Sequence, residues 1–192
     1  AISAIVTALI SPLLGAAADR SGLRKRFLAV STVISALATV LLAFVAPGMA
    51  YAPMIALLLF VIAEVAFESG NVFYNAFLPT IASSERIGRV SGYGWGLGYV
   101  GGLVCLGVAL IGFVQPAVPW FGMSQLEGWN IRATNLLVAA WFLLFSLPLF
   151  FNVPEKRMHG AGISFAAAVG ELKQTFRDIR RYGEIVKFLV AR

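Results

Sequence analysis

Long apolar runs separated by short polar turns make up most of this chain. The runs cover residues about 1–18, 27–46, 53–77, 90–114 and 130–151. Each is close to the roughly 20 residues that a helix needs to cross a bilayer. Between them lie the charge cluster Asp19-Arg20-Ser21-Gly22-Leu23-Arg24-Lys25-Arg26, the Pro47-Gly48 break, Pro79, a turn with Pro116, Pro119, Trp120 and Trp129, and Asn152-Val153-Pro154. Ser83, Ser84 and Glu85 offer N-cap hydroxyls and a first-turn acid to the fourth run. The tryptophans of the next turn suit an interfacial aromatic belt. The pattern predicts an all-α fold, a polytopic membrane helical bundle over residues 1–152.

Beyond residue 152 the periodicity changes. Phe165, Val169, Leu172, Phe176 and Ile179 recur at helical spacing, opposite Lys173, Arg177, Arg180 and Arg181. Residues 153–183 are therefore expected to form a linker with an amphipathic helix on the membrane surface. Residues 184–192 read as the start of a further span.

One span breaks the apolar rule. Glu64, Glu68, Asn71 and Asn75 stand at offsets of 0, 4, 7 and 11, which places all four on one face of a helix. If Pro53 marks the interface, Glu64 lies about 16 Å in, near the bilayer midplane. An acid there costs roughly 2.5–3.5 kcal/mol on insertion scales, and two ionised and unpaired acids cost about twice that. The expected role is a substrate or proton pathway, through proton coupling or contact with a substrate ammonium. The competing reading is a protonated Glu in an interhelical hydrogen bond. Asn71 and Asn75 serve equally as inner-mouth residues or as interhelical glue.

Composition narrows the class further. Hydrophobic residues are 59% of the chain and charged residues 12%, against roughly 25% charged in soluble domains. The net charge of +6 does not point to nucleic acid, because the basic residues fall between apolar runs. With alternating spans, every Lys and Arg except Arg132 falls on one side. The positive-inside rule makes that side, with the basic loops and linker, cytoplasmic, and a bacterial inner membrane is the expected location. One cysteine and one histidine exclude internal disulfides and argue against a zinc site. No metal, cofactor or nucleic acid is expected, and no nucleophile–base pair suggests an enzyme. Ala1 opens directly on an apolar run, so the chain is read as an internal stretch of a longer protein and residues 1–18 not as a signal peptide.

Glycines crowd the fourth run. Gly96-Leu97-Gly98-Tyr99-Val100-Gly101 matches the spacing of a dinucleotide loop, but no strand precedes it. Gly94, Gly98 and Gly102, four residues apart, instead predict a face for close helix packing. Trp95, Tyr99 and Trp141 are read as packing or lipid-facing residues, and Cys105 as a small apolar one.

Two stretches carry a family resemblance. Gly15, Asp19, Arg20, Gly22, Arg24 and Lys25 resemble the loop between the second and third helices of the major facilitator superfamily, with Leu23 as a departure before the basic pair. Tyr74-Asn75-Ala76-Phe77-Leu78-Pro79, Glu85-Arg86-Ile87-Gly88-Arg89-Val90-Ser91-Gly92 and Gly94-Trp95-Gly96-Leu97-Gly98-Tyr99 resemble its vacuolar amino-acid effluxer-like subfamily. The resemblance implies the N-terminal half of a transporter, from helix two to the start of helix seven, with helix one and the C-terminal half elsewhere in the protein. It implies alternating access for a small-molecule substrate in the lipid bilayer, a gate at the Asp19–Lys25 loop, and amino acids as candidate cargo. Drug or other metabolite efflux is the alternative within transporters, and a non-transporting scaffold or receptor is the alternative outside them.

Overall fold

The computed structural model describes residues 23–154. These form an all-helical bundle with four helical stretches long and apolar enough to cross a membrane: Arg24–Ala43, Ala52–Ile81, Ile87–Val114 and Leu126–Asn152. Within them, α1 is Arg24–Ala43, α2 is Ala52–Asn75, and α3 is the short helix Leu78–Ile81. Helix α4 is Ile87–Ala109, α5 is Trp129–Arg132 and α6 is Thr134–Asn152. No strand occurs among the described residues. Helices are the expected solution in lipid, because each satisfies its own backbone polar groups.

The chain runs up and down, so α1 starts at the end where α2 and α6 finish. We call this the basic end, and the opposite end, where α1 and α4 finish, the Arg132 end. Helix α1 is the centre of the packing, with α2 against one side and α6 against another.

The α1–α2 seam is built from small side chains. Ser31, Ser35 and Ala38 of α1 are buried, as are Ala63, Ala66, Ser69 and Gly70 of α2, with Gly70 against Leu28 and Ser31. Small residues let helix backbones approach, which matters in lipid because the hydrophobic effect does not drive helices together there. Three buried hydroxyls of the two helices have backbone partners. Thr32 donates to the Leu28 carbonyl at 2.8 Å and Ser69 to that of Val65 at 2.7 Å, each one turn back on its own helix. Ser35 donates across the seam to the Ala63 carbonyl at 3.0 Å. Toward the basic end the seam widens to hold Leu28, Phe73 and Phe77, with Phe27 stacked on Phe73 at 5.4 Å between ring centroids.

Helix α1 begins at Arg24, inside the charge cluster and ahead of the apolar run that starts at Phe27. A basic first turn opposes the helix dipole. Here two of those cations serve other helices. Arg24 donates through Nη1 to the carbonyl of Ala76, the C-cap of α2, at 3.3 Å. Lys25 donates through Nζ to the carbonyl of Phe150 in the last turn of α6 at 2.9 Å. Each cation therefore meets carbonyls that lack helical partners, at the negative end of a neighbouring dipole.

At α4 the cap differs from the sequence expectation. Arg86 occupies the N-cap position, no side chain caps the helix, and no acid lies in its first turn. Ser83 instead supplies its carbonyl to the backbone N–H groups of Arg86 and Ile87, at 2.9 and 3.0 Å. The Ser83 hydroxyl accepts from the Arg86 side chain, Nε at 3.4 Å, and, among the described residues, from no backbone N–H.

Candidate functional site

Helix α2 carries two chemically different faces. The buried residues Ala63, Ala66, Gly70 and Phe73 define the side that meets α1. At 3.6 residues per turn, Glu64, Glu68, Asn71 and Asn75 fall on the opposite side. Glu64, Glu68 and Asn71 are half-buried, and Asn75, the last residue of the helix, is exposed. Glu64 sits about 18 Å of helical rise from Ala52, the middle of α2. No hydrogen bond or ion pair among the described residues involves Glu64 or Glu68. The face thus offers two acids and two amides along one line, the inward pair near mid-span.

Side chains between these two faces fix the rotation of α2. Phe67 meets Phe142 of α6 with ring centroids 5.6 Å apart. The Tyr74 hydroxyl lies against Gly94 of α4, 3.1 Å from where a Cβ would stand. These contacts leave the polar face directed away from the α1 seam. Chemically, such a line can hold a proton, or donate and accept hydrogen bonds with a polar solute.

The glycine-rich helix gives a mixed picture. Gly94 meets Tyr74, and Gly101 lies 4.0 Å, measured from a built Cβ, from the indole nitrogen of Trp141 on α6. Beyond their own helix backbone, no described atom lies within 4 Å of where a Cβ would stand on Gly98 or Gly102. Of the proposed gating residues, Arg24 and Lys25 are the helix-end caps described above, while Gly15, Asp19, Arg20 and Gly22 lie outside the described residues. The linker helix and the start of a further span lie outside them as well.

A second constellation, at the Arg132 end, goes unmarked by any motif. Helix α4 runs into a π-helical turn at Leu110–Val114, where the Gln115 N–H donates to the Leu110 carbonyl at 2.9 Å. Gly112 is obligatory in this turn, since a Cβ there would stand 2.6 Å from the Trp120 ring. The buried Asn130 side chain donates to the Phe113 carbonyl at 2.8 Å. Arg132 donates to the carbonyl of Ala43, the last residue of α1, at 3.4 Å, and its guanidinium lies 5.2 Å from the Trp129 ring centroid. Its Nε is buried without a partner among the described residues. Arg132 being the lone cation of its side was the available signal. Trp120 and Trp129, read as belt residues, have ring contacts with Gly112 and Phe113 and with Phe44 and Arg132 respectively.

Comparison with known proteins agrees with this architecture. No solved structure matches the chain. The uncharacterized MFS-type transporter YxiO of Bacillus subtilis (strain 168) is 30% identical over 198 residues, an alignment that covers 100% of this chain and 44% of the relative. The chain thus spans less than half the length of the curated relative it matches. A family model described as "Vacuole effluxer Atg22 like" matches residues 1–192. An all-helical bundle apolar enough to cross a membrane, a relative of MFS type and a family match over the whole length lead to one assignment: this integral membrane chain belongs to the vacuole effluxer Atg22-like family of the major facilitator type.

Proposed function

We propose that the chain forms part of a secondary transporter that moves a small polar metabolite by alternating access, with the α2 line of Glu64, Glu68, Asn71 and Asn75 on the substrate or proton pathway. The observation that carries this reading is the rotation of α2. Packing against α1 uses the small-residue side, so the two acids near mid-span have no role in that seam. Retaining acids in a membrane helix is costly enough that they mark function in preference to packing. Amino acids are the favoured cargo, as the resemblance to the amino-acid effluxer-like subfamily implies, and the matched family is described as an effluxer. Protons are the favoured coupling ion, since a carboxylate at this depth can carry one between two exposures. The basic end faces the cytoplasm of a bacterial cell by the positive-inside rule, and the work is transport, not catalysis.

The experiment uses the full-length protein in proteoliposomes, with radiolabelled amino acids followed across an imposed pH gradient. Wild-type transport is expected to follow the gradient, and Glu64→Gln to abolish that dependence while the protein stays folded. Gradient-driven transport unchanged in Glu64→Gln would remove Glu64 from the coupling role. Absence of transport for every amino acid tested would remove that cargo.

A further inference from the structure

The Arg132 end of the bundle carries apolar residues where a water-facing loop would be polar. Residues 115–126 contain no charged residue, and neither does the turn at residues 44–51. By contrast, the α3–α4 connection at the basic end holds Ser83, Ser84, Glu85 and Arg86, all exposed. Among the described residues, Tyr51, Val118, Phe121 and Leu126 are 78%, 76%, 85% and 80% exposed and sit at the Arg132 end, against Phe151 at 80% at the basic end.

These side chains are held out by an ordered loop. Gln125 clips the loop base, donating through Nε2 to the carbonyls of Pro116 and Ala117 at 3.2 and 3.1 Å. The Gly122 and Gly128 N–H groups close turns onto Pro119 and Gln125. Trp120 is docked on Gly112, and Asn130 ties the loop's far side to Phe113. Two of the projecting residues, Tyr51 and Phe121, adopt left-handed backbone at φ 61°, and Glu127 beside Leu126 does so at φ 54°. Bulky side chains rarely occupy that region, so these conformations need a compensating gain. No described residue covers Phe121 or Tyr51.

We propose that this rim is a bilayer-contact surface, with the Val118–Leu126 loop and Tyr51 seated in the interfacial region of the leaflet at the Arg132 end. Continuity with the flank of α4 favours lipid as the occupant. Ile111 and Val114, at the end of that helix, are exposed and lead directly into the uncharged loop. An aromatic and aliphatic rim, with the exposed Glu127 at its edge, fits the headgroup–acyl boundary, where amphipathic rings settle. The rim would fix the depth of α4 and of the α1–α2 turn together, giving the bundle an anchored end opposite a water-facing, basic one. This placement is independent of what the protein carries.

Site-directed spin labelling of the full-length protein in lipid nanodiscs tests it, in a background with the native cysteines, Cys105 included, replaced by alanine. Labels go at Val118→Cys, Phe121→Cys and, for the basic end, Ser84→Cys. Labels at 118 and 121 are expected to collide more with oxygen than with a water-soluble nickel chelate, with the reverse at 84. Nickel-dominated collisions at 118 and 121 would place the rim in water and overturn the proposal. Protection from both reagents would overturn it too, by showing that protein covers the rim.

Discussion

Two helix surfaces rich in small residues meet different fates in this bundle. The α1–α2 seam, with Ser31, Ala63, Ala66, Ser69 and Gly70, is closed, and Ser35 bonds across it to the Ala63 carbonyl. Helix α4 has the more conspicuous pattern, yet no described atom lies within 4 Å of a Cβ built on Gly98 or Gly102, while Gly94 and Gly101 meet Tyr74 and Trp141. Small residues permit close approach, but a partner must still be brought to them. In α1 and α2 a short turn makes the two helices adjacent and antiparallel, so the seam forms from neighbours in the chain. At Gly94 and Gly101 the contact comes through a longer side chain, a tyrosine and a tryptophan reaching toward glycine, and α4 is buried only near its end, at Cys105 and Ala109.

Three substitutions test that contrast, each read by thermal unfolding in detergent. Ala66→Leu forces a larger side chain into the closed seam and is expected to destabilise by about 1–3 kcal/mol. A cost near zero would mean the seam is looser than its burial implies. Gly98→Ala should act in the opposite direction, gaining up to about 1 kcal/mol, because alanine favours the helix and no described neighbour resists it. A clear loss there would reveal a neighbour against Gly98 and erase the contrast. The smallest effect is expected from Ser35→Ala, which removes one interhelical hydrogen bond of a kind averaging about 0.6 kcal/mol in membranes. A loss several times larger would make that bond, and not small-residue packing, the main tie across the seam.

The helix ends show why some features could be read in advance and others could not. Apolar runs of spanning length are local, and helices occupy all four that fall among the described residues. The start of α1 at Arg24 was obscured because those cations look like a polar turn. Their use as caps for α2 and α6 depends on helix ends that are 52 and 125 residues away in the chain. Likewise, Ser83 and Ser84 have the chemistry of N-caps, but the Ser83 hydroxyl meets the Arg86 side chain and not a backbone N–H. Trp120 reads as a belt residue, and its ring contact with Gly112, eight residues back, was not legible in that composition.

The candidate site divides along the same line. That Glu64, Glu68, Asn71 and Asn75 share a face follows from sequence spacing alone, because the helix repeat is a property of the backbone. Composition likewise determined that the chain belongs in a membrane, and periodicity that it is helical. Which way the polar face points was decided by tertiary packing: α1 takes the small-residue side, and Phe67 and Tyr74 set the rotation against α6 and α4. Tertiary structure alone also assigned Arg24, Lys25 and Arg132 to the carbonyls they meet. The physical reason is range. Periodicity and hydropathy act over one helical turn or one span, whereas a cap, a seam or a docked ring needs two segments whose meeting depends on how every helix between them is packed.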